Sequence, residues 1–153
     1  MRLLSLMVFL IVWCLYSITP AWANQELLAI ALAPKIRNRQ PVKPFSPTAR
    51  CEKDQKGEGS IPIVHVSRTR KIHFWTRIAS TSWGKIRHSW HQEIKGQWKL
   101  LSFVDLKVGR SASYRTWSKK TLVPQRDVGN WMIVVAPSND PGHILCISRF
   151  VVK

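Results

Sequence analysis

Basic and aromatic side chains alternate in two neighbouring stretches of the chain, a combination that suits the binding of anions. Residues 71–78 read Lys-Ile-His-Phe-Trp-Thr-Arg-Ile, and residues 85–92 read Lys-Ile-Arg-His-Ser-Trp-His-Gln. Six basic residues and no acidic residue lie from position 68 to position 87. Ammonium and guanidinium groups attract phosphate, sulfate and carboxylate, and aromatic faces add stacking. The pattern therefore predicts a basic-aromatic face that holds an anionic ligand.

We interpret the two stretches as strands that pair in a hairpin with this face outward. A second basic string, residues 115–120, reads Arg-Thr-Trp-Ser-Lys-Lys. It either clamps an anion or packs Trp117 into the core while Arg115 stacks on an aromatic ring or pairs with an acid. The alternative to a binding face is a solvated positive surface, and exposure of Trp75 would favour binding. The candidate ligand-binding residues are Lys71, His73, Trp75, Arg77, Arg87, His91, Arg115, Lys119 and Lys120.

Histidines three residues apart, His88 and His91, have a spacing that suits a metal only on a helix. On a strand they point to opposite faces of the sheet, so we expect no metal site. His88 shares its predicted face with Ile86 and Trp90, which favours a core histidine with a hydrogen bond to the backbone.

Catalytic patterns are sparse in residues 61–153. The segment has four acidic residues and neither a Gly-x-Ser-x-Gly elbow nor a glycine-rich nucleotide loop. We therefore expect no enzyme activity and no cofactor. A hydrolase that escapes these patterns would need Glu93 or Asp105 close to a histidine, with His65, His73 and His91 as the candidates.

The elements that position these residues are strands. From residue 61 onward the apolar period is two, with strand candidates at residues 71–78, 85–92, 97–108, 113–119, 131–136 and 143–152 separated by glycine, proline, asparagine and aspartate turns. Six or seven short strands over about 90 residues predict an all-β domain, a small antiparallel β-sandwich of the immunoglobulin-like kind.

The N-terminal part has two further segments. Residues 1–23 combine Arg2, an apolar run of 16 residues and Ala21-Trp22-Ala23, which predicts an export signal peptide. Cleavage follows Ala23 or, at a second small-x-small triplet, Ala33, and the alternative is an uncleaved anchor in the inner membrane. Residues 24–60 carry four prolines, which predicts an extended arm or linker before the domain at residues 61–153.

Export also bears on the cysteines and the charge. Outside the signal peptide only Cys51 and Cys146 remain, and in an oxidising compartment two thiols most simply form one disulfide. The chain of 153 residues has a formal net charge of +16. Residues 61–153 carry 16 basic and four acidic side chains, so most of this charge belongs to the predicted domain. A hydrophobic content of 45% excludes a disordered basic tail.

Four stretches carry a resemblance to a known family: residues 74–78, His88-Ser89-Trp90, residues 115–120, and Gly129-Asn130-Trp131 leading to Phe150-Val151-Val152. By their order and spacing, about two-thirds of the chain resembles the uncharacterised bacterial family DUF2914. The resemblance implies a small all-β domain, often carried by exported or membrane-anchored proteins. It implies no activity.

These observations predict a periplasmic or secreted, non-enzymatic binding module of the cell envelope. By charge its ligand is an anionic glycan, lipopolysaccharide or phospholipid headgroup. Nucleic acid ranks lower because export separates the protein from it. The alternative is a structural domain whose aromatic faces dock on another envelope protein. The sequence leaves the oligomeric state open.

Overall fold

The structure, a computed structural model, describes residues 25–46, 51–52 and 61–153. The predicted signal peptide lies outside the described residues, as do parts of the predicted arm. The regular elements of the described part are all strands, and no helix in it is long and apolar enough to cross a membrane.

Ten strands follow one another along the described chain. They are β1 (Gln25–Ala33), β2 (Lys35–Arg37), β3 (Gln40–Val42), β4 (Ile63–Val64), β5 (Lys71–Ser80), β6 (Gly84–Ile94), β7 (Gln97–Val108), β8 (Ser111–Thr121), β9 (Gly129–Pro137) and β10 (Cys146–Val152). Strands β5 to β9 contain the first five strand candidates, since two-residue periodicity is a direct consequence of the pleated backbone. Strand β10 begins three residues later than the last candidate, residues 143–152.

The strands form two main sheets and a small hairpin. One sheet has three strands in the order β1-β5-β8, and the other has five in the order β4-β10-β9-β6-β7. Neighbouring strands are antiparallel except for the short β4, which runs parallel to β10. The hairpin consists of β2 and β3. The predicted all-β class is confirmed, with the two sheets arranged as a sandwich.

The core lies between the two sheets. From β5 it receives Ile72, Phe74 and Ile78, and from β6 it receives Ile86 and Trp90, all buried. These side chains alternate with polar ones along each strand, so one face of each sheet is apolar and packs on the other.

The predicted pairing of residues 71–78 with 85–92 is wrong. β5 pairs with β1 and β8, whereas β6 pairs with β7 and β9 in the opposite sheet. Each of the two strands has one apolar face, and packing those faces against each other buries both without a hairpin.

Residues 25–33 belong to the segment predicted as an arm, but they form β1. This strand runs antiparallel along β5, from Gln25 opposite Ser80 to Ala33 opposite His73. Its Leu32 is only 2% exposed and belongs to the core. The three-stranded sheet therefore recruits a strand from before the predicted domain.

A disulfide joins Cys51 to Cys146, as the sequence predicted. Cys146 is the first residue of β10 and is fully buried. Beside the bond, Arg149 forms an ion pair with Glu52 at 2.9 Å. These two contacts tie residues 51–52 to the end of the five-stranded sheet.

Candidate functional site

The outer face of the three-stranded sheet brings together most of the predicted ligand-binding residues. Because the inner side of β5 is apolar, its alternate residues point away from the core. Strand β8 lies directly beside β5 and presents a second basic-aromatic row to the same side. We call this surface the β5–β8 face, defined by Lys71, His73, Trp75, Arg77, Arg115, Trp117 and Lys119.

Directly opposed residues form three cross-strand pairs on this face. They are His73 with Lys119, Trp75 with Trp117, and Arg77 with Arg115. Residues that are directly opposite in antiparallel strands have their Cβ atoms about 4.5–5.5 Å apart. On the other side of β5, β1 places only alanines opposite these three positions. Ala31 and Ala33 are themselves buried, so this end of the face is covered.

The Arg77–Arg115 pair places like charges directly opposite each other. Such a pair is unfavourable in a sheet unless another group compensates it. The Nε atoms of both arginines are inaccessible to solvent and have no hydrogen-bond partner among the described residues. On β1, β5 and β8 the sequence contains a single carboxylate, Glu26, which lies opposite Ala79. The compensating negative charge is therefore not supplied by this sheet.

His73 lies four residues before Arg77 on the same face. Burial lowers its pKa from the ordinary histidine value, assisted by the nearby charges of Lys119 and Lys71, while hydrogen bonds to the backbone at Pro34 and Ala33 act in the opposite direction. The imidazole is therefore neutral at pH 7 and adds charge to the face only in acid.

Trp75 does not lie open on this face: it is only 5% exposed. The tip of the β2–β3 hairpin covers it, and its indole Nε1 donates a hydrogen bond of 2.9 Å to the carbonyl oxygen of Arg39. The turn residues Asn38 and Arg39 both have positive φ, 49° and 60°, as a two-residue hairpin turn requires. The exposure that would have favoured binding by Trp75 is therefore absent.

The hairpin tip also brings a third guanidinium to the face. Arg39 donates from Nη2 to the carbonyl oxygen of Arg115 at 3.0 Å, and its Cζ lies 5.5 Å from the centre of the Tyr114 ring. Arg39 could not be predicted as part of the site, because it lies 76 residues before Arg115 and no local pattern relates the two. Trp117, expected in the core under the structural interpretation of residues 115–120, instead belongs to the outer row of β8.

Arg87 and His91 are not part of this face, which corrects the predicted site. Both lie on β6, in the five-stranded sheet. Arg87 donates to both carboxylate oxygens of Asp105, at 2.7 and 2.9 Å, and this pairing lowers the pKa of Asp105. Its Cζ also lies 4.1 Å from the Phe103 ring centre. Arg87 therefore already has a counter-ion and an aromatic partner.

Lys120 also departs from the predicted site. It lies opposite Ile72 and so shares the inner side of the sheet. Its Nζ lies 4.8 Å from the centre of the Trp131 ring, and burial lowers its pKa. A cation in this position stabilises the edge of the core by a cation–π contact.

His88 is a core residue, as the sequence predicted, and it is completely buried. Its hydrogen-bond partners are hydroxyls of the opposite sheet rather than the backbone: Ser118 Oγ lies 2.9 Å from Nδ1 and Thr76 Oγ1 lies 3.5 Å from Nε2. Burial lowers its pKa to about 3. His91 lies on the outward side of β6, as expected from strand geometry. Within the described ranges, no three His, Cys, Asp or Glu side chains are grouped to hold a metal ion.

The two carboxylates considered for hydrolysis have other partners. Asp105 binds Arg87 and accepts a hydrogen bond of 3.0 Å from Ser138. Glu93 accepts a hydrogen bond of 2.7 Å from Asn130.

Comparison with known proteins gives a family match for the C-terminal part of the chain. The model of a protein of unknown function, DUF2914, matches residues 84–152. This confirms the predicted resemblance from β6 to β10, whereas the stretch at residues 74–78 lies outside the match. The chain shows no significant match to a curated protein. The matched family brings no activity.

Proposed function

We propose that the protein is an exported, non-enzymatic module of the cell envelope that binds an anionic ligand on its β5–β8 face. One observation carries the proposal: Arg77 and Arg115 lie directly opposite each other, with buried Nε atoms that lack a partner among the described residues. An anion between the two guanidinium groups converts their repulsion into two attractive interactions. The export signal of the sequence supports the location.

The chemistry of the pair favours phosphate, sulfate or carboxylate. A guanidinium is a planar fork that binds such groups through two parallel hydrogen bonds. Lys119 lies on the same side of β8 as Arg115. Arg39 reaches the face from the hairpin tip, where it contacts the carbonyl oxygen of Arg115. An anionic glycan, lipopolysaccharide or phospholipid headgroup offers these groups in the envelope.

The test compares two double variants that remove the same charge. In Arg77→Gln/Arg115→Gln we expect binding to a sulfated-glycan matrix and to vesicles of anionic phospholipid to weaken by about tenfold or more, because hydrogen bonds to charged groups contribute about 1.5–3 kcal/mol each. In Lys85→Gln/Lys153→Gln, which changes exposed lysines elsewhere, we expect only a small loss. The matrix and the vesicles separate a glycan ligand from a lipid headgroup.

Circular dichroism shows whether each variant keeps its fold. Equal losses in the two double variants would show that net charge rather than the arginine pair attracts the ligand, and the assignment of the face would be wrong. The amount of folded protein retained on the sulfated-glycan matrix should also fall as the salt concentration rises, since salt screens the attraction between exposed charges.

A second candidate function, docking on another protein, is favoured by a different surface. Strand β7 exposes Trp98, Leu100 and Phe103 at the edge of the five-stranded sheet. Association through an apolar strand does not weaken with salt, so salt dependence distinguishes the two functions.

A further inference from the structure

Strand β7 is a long and open sheet edge. It has twelve residues, and among the described residues it pairs only with β6, so its other side offers backbone groups that no described strand takes up. Leu100 is 54% exposed and Phe103 is 52% exposed. Monomeric proteins usually shorten, charge or cover such an edge because it is a template for another strand. The opposite edge of the same sheet, β4, has only two residues.

A β-bulge divides β7 into two halves with different alternation. Trp90 lies opposite Ser102 while the next residue, His91, lies opposite Leu100, so Leu101 has no directly opposed residue. Trp98 and Leu100 lie opposite outward-facing residues of β6, and so do Phe103 and Asp105. All four side chains therefore lie on the outer face of the sheet, although the first two have even numbers and the last two odd numbers. Ordinary alternation would have placed the two pairs on opposite faces.

This change of alternation makes the edge complementary to itself. In an antiparallel pair, directly opposed residues must lie on the same face. A two-fold axis that passes between Leu101 and Ser102 places Leu100 of one copy opposite Phe103 of the other. The same axis places Lys99 of one copy opposite Val104 of the other. Both matches satisfy the requirement of a common face, and the pairing extends over residues 97–106 in each copy.

We propose that β7 pairs with β7 of a second copy of this chain in that antiparallel register, which joins the two five-stranded sheets into one continuous sheet. Leu100 of each copy then packs against the partner's Phe103, which forms an apolar cluster of four side chains at the two-fold axis. The interface supplies both backbone hydrogen bonds and apolar burial, as strand addition requires. An isologous contact of this kind closes on itself and makes a dimer rather than a fibre.

The charges at the edge are compatible with a second copy. Asp105 is already paired with Arg87. Lys107 lies beyond the paired segment, and Lys99 faces an apolar position rather than another cation. The remaining force against dimerisation is the electrostatic repulsion between two basic molecules, which salt screens. Dimerisation should therefore tighten as salt rises, the reverse of the effect on anion binding.

The two-fold axis also determines where the β5–β8 faces point. An axis between antiparallel edge strands stands perpendicular to the sheet, so both three-stranded sheets lie on the same side of the joined sheet. If the proposed anion-binding function holds, on which this one consequence rests, the dimer presents two binding faces to one anionic surface. Two linked sites increase the overall affinity without any new contact.

Sedimentation equilibrium tests the dimer on the purified protein with its disulfide intact. We expect a dimer whose dissociation constant falls as salt is raised. In Leu100→Lys/Phe103→Lys, each new cation faces another across the axis, and we expect a monomer. The matched control, Val128→Lys/Ile144→Lys, adds the same charge at exposed apolar positions away from β7 and should leave the dimer in place. A wild-type monomer at all salt concentrations, or a Leu100→Lys/Phe103→Lys protein as dimeric as the control, would overturn the proposal.

Cross-linking tests the register. A mixture of Leu100→Cys and Phe103→Cys chains should form a disulfide-linked dimer under mild oxidation, whereas either chain alone should not. A dimer without this cross-link would show that another surface pairs, and the proposal would be wrong. The outcome is independent of anion binding. Arg77→Gln/Arg115→Gln should lose anion binding and keep the dimer. Leu100→Lys/Phe103→Lys should lose the dimer and keep the binding of a soluble sulfated glycan by each monomer.

Discussion

His88 is a titratable side chain held between the two sheets without a compensating charge. Two hydroxyl groups, Ser118 Oγ and Thr76 Oγ1, are its polar neighbours. Phe74 packs edge-on to its ring at a centroid distance of 5.1 Å. Because none of these groups carries charge, the folded protein holds the neutral imidazole.

His88 should make the stability of the folded protein fall as the pH is lowered. The pKa of His88 in the folded chain is about 3, whereas an unfolded chain has a histidine pKa of about 6.5. Between these values the unfolded state binds a proton that the folded state does not, so stability falls as pH falls, by up to about 1.4 kcal/mol per pH unit. Urea unfolding at a series of pH values below the pKa of an unfolded-chain histidine measures how steeply the free energy of unfolding falls with pH.

The matched variants are His88→Gln, which should be less stable at pH 7 but show a shallower acid slope, and His143→Gln at an exposed turn, which should keep the wild-type slope. An unchanged slope in His88→Gln would contradict the assignment of the acid dependence to this residue.

His73 should make anion binding depend on pH. Its pKa is lowered by burial, with the charges of Lys119 and Lys71 acting in the same direction. Protonation below the ordinary histidine range adds a positive charge to the face that carries the arginine pair, so affinity for a sulfated glycan should rise in acid. The rise should be lost in His73→Gln and kept in His143→Gln, as measured on protein whose fold is verified by circular dichroism at each pH.

At the scale of elements, β1 completes the three-stranded sheet. Its inner residue Leu32 is buried in the core, whereas Leu28, four residues earlier on β1, lies at a register shift and is exposed. Leu32→Ala should cost about 2–5 kcal/mol of stability because it leaves a cavity between the sheets. Leu28→Ala should cost little. Equal effects in denaturant unfolding would show that β1 does not pack as described.

The position of β1 also bears on processing. Cleavage after Ala33 would remove the whole strand, whereas cleavage after Ala23 would retain it. We therefore expect N-terminal sequencing of the exported protein to begin at Asn24. A start at Pro34 would contradict a role of β1 in the mature sandwich.

At the scale of the whole molecule, the disulfide closes a loop that spans most of the sandwich. Cys51 and Cys146 are separated by 95 positions, and the chain-entropy account gives about 4–5 kcal/mol of stabilisation for a loop of that length. Cys51→Ser/Cys146→Ser should lose stability of this order in urea unfolding. Wild-type protein under a thiol reductant serves as the control without substitution, and equal stability of reduced and oxidised protein would contradict the expectation.

Much of the fold followed from local chemistry. The existence and order of β5 to β10 and the faces of β5 were predictable because a pleated backbone points successive side chains to opposite sides whatever its neighbours are. The disulfide was predictable because only two cysteines lie outside the predicted export segment. Strand alternation also placed Arg115 and Lys119 correctly on one side of their strand.

The sequence by itself thus determined which side chains share a face of their own strand, and the tertiary structure decided which strands lie side by side. Pairing depends on free edges and on the packing of whole sheets, so two adjacent strands of similar pattern were placed in opposite sheets and the predicted site was divided. Arg87 found a counter-ion in Asp105, while Arg77 came to lie opposite Arg115, far along the chain. Periodicity within a strand is a property of a few residues, whereas the meeting of two arginines is a property of the assembled sandwich.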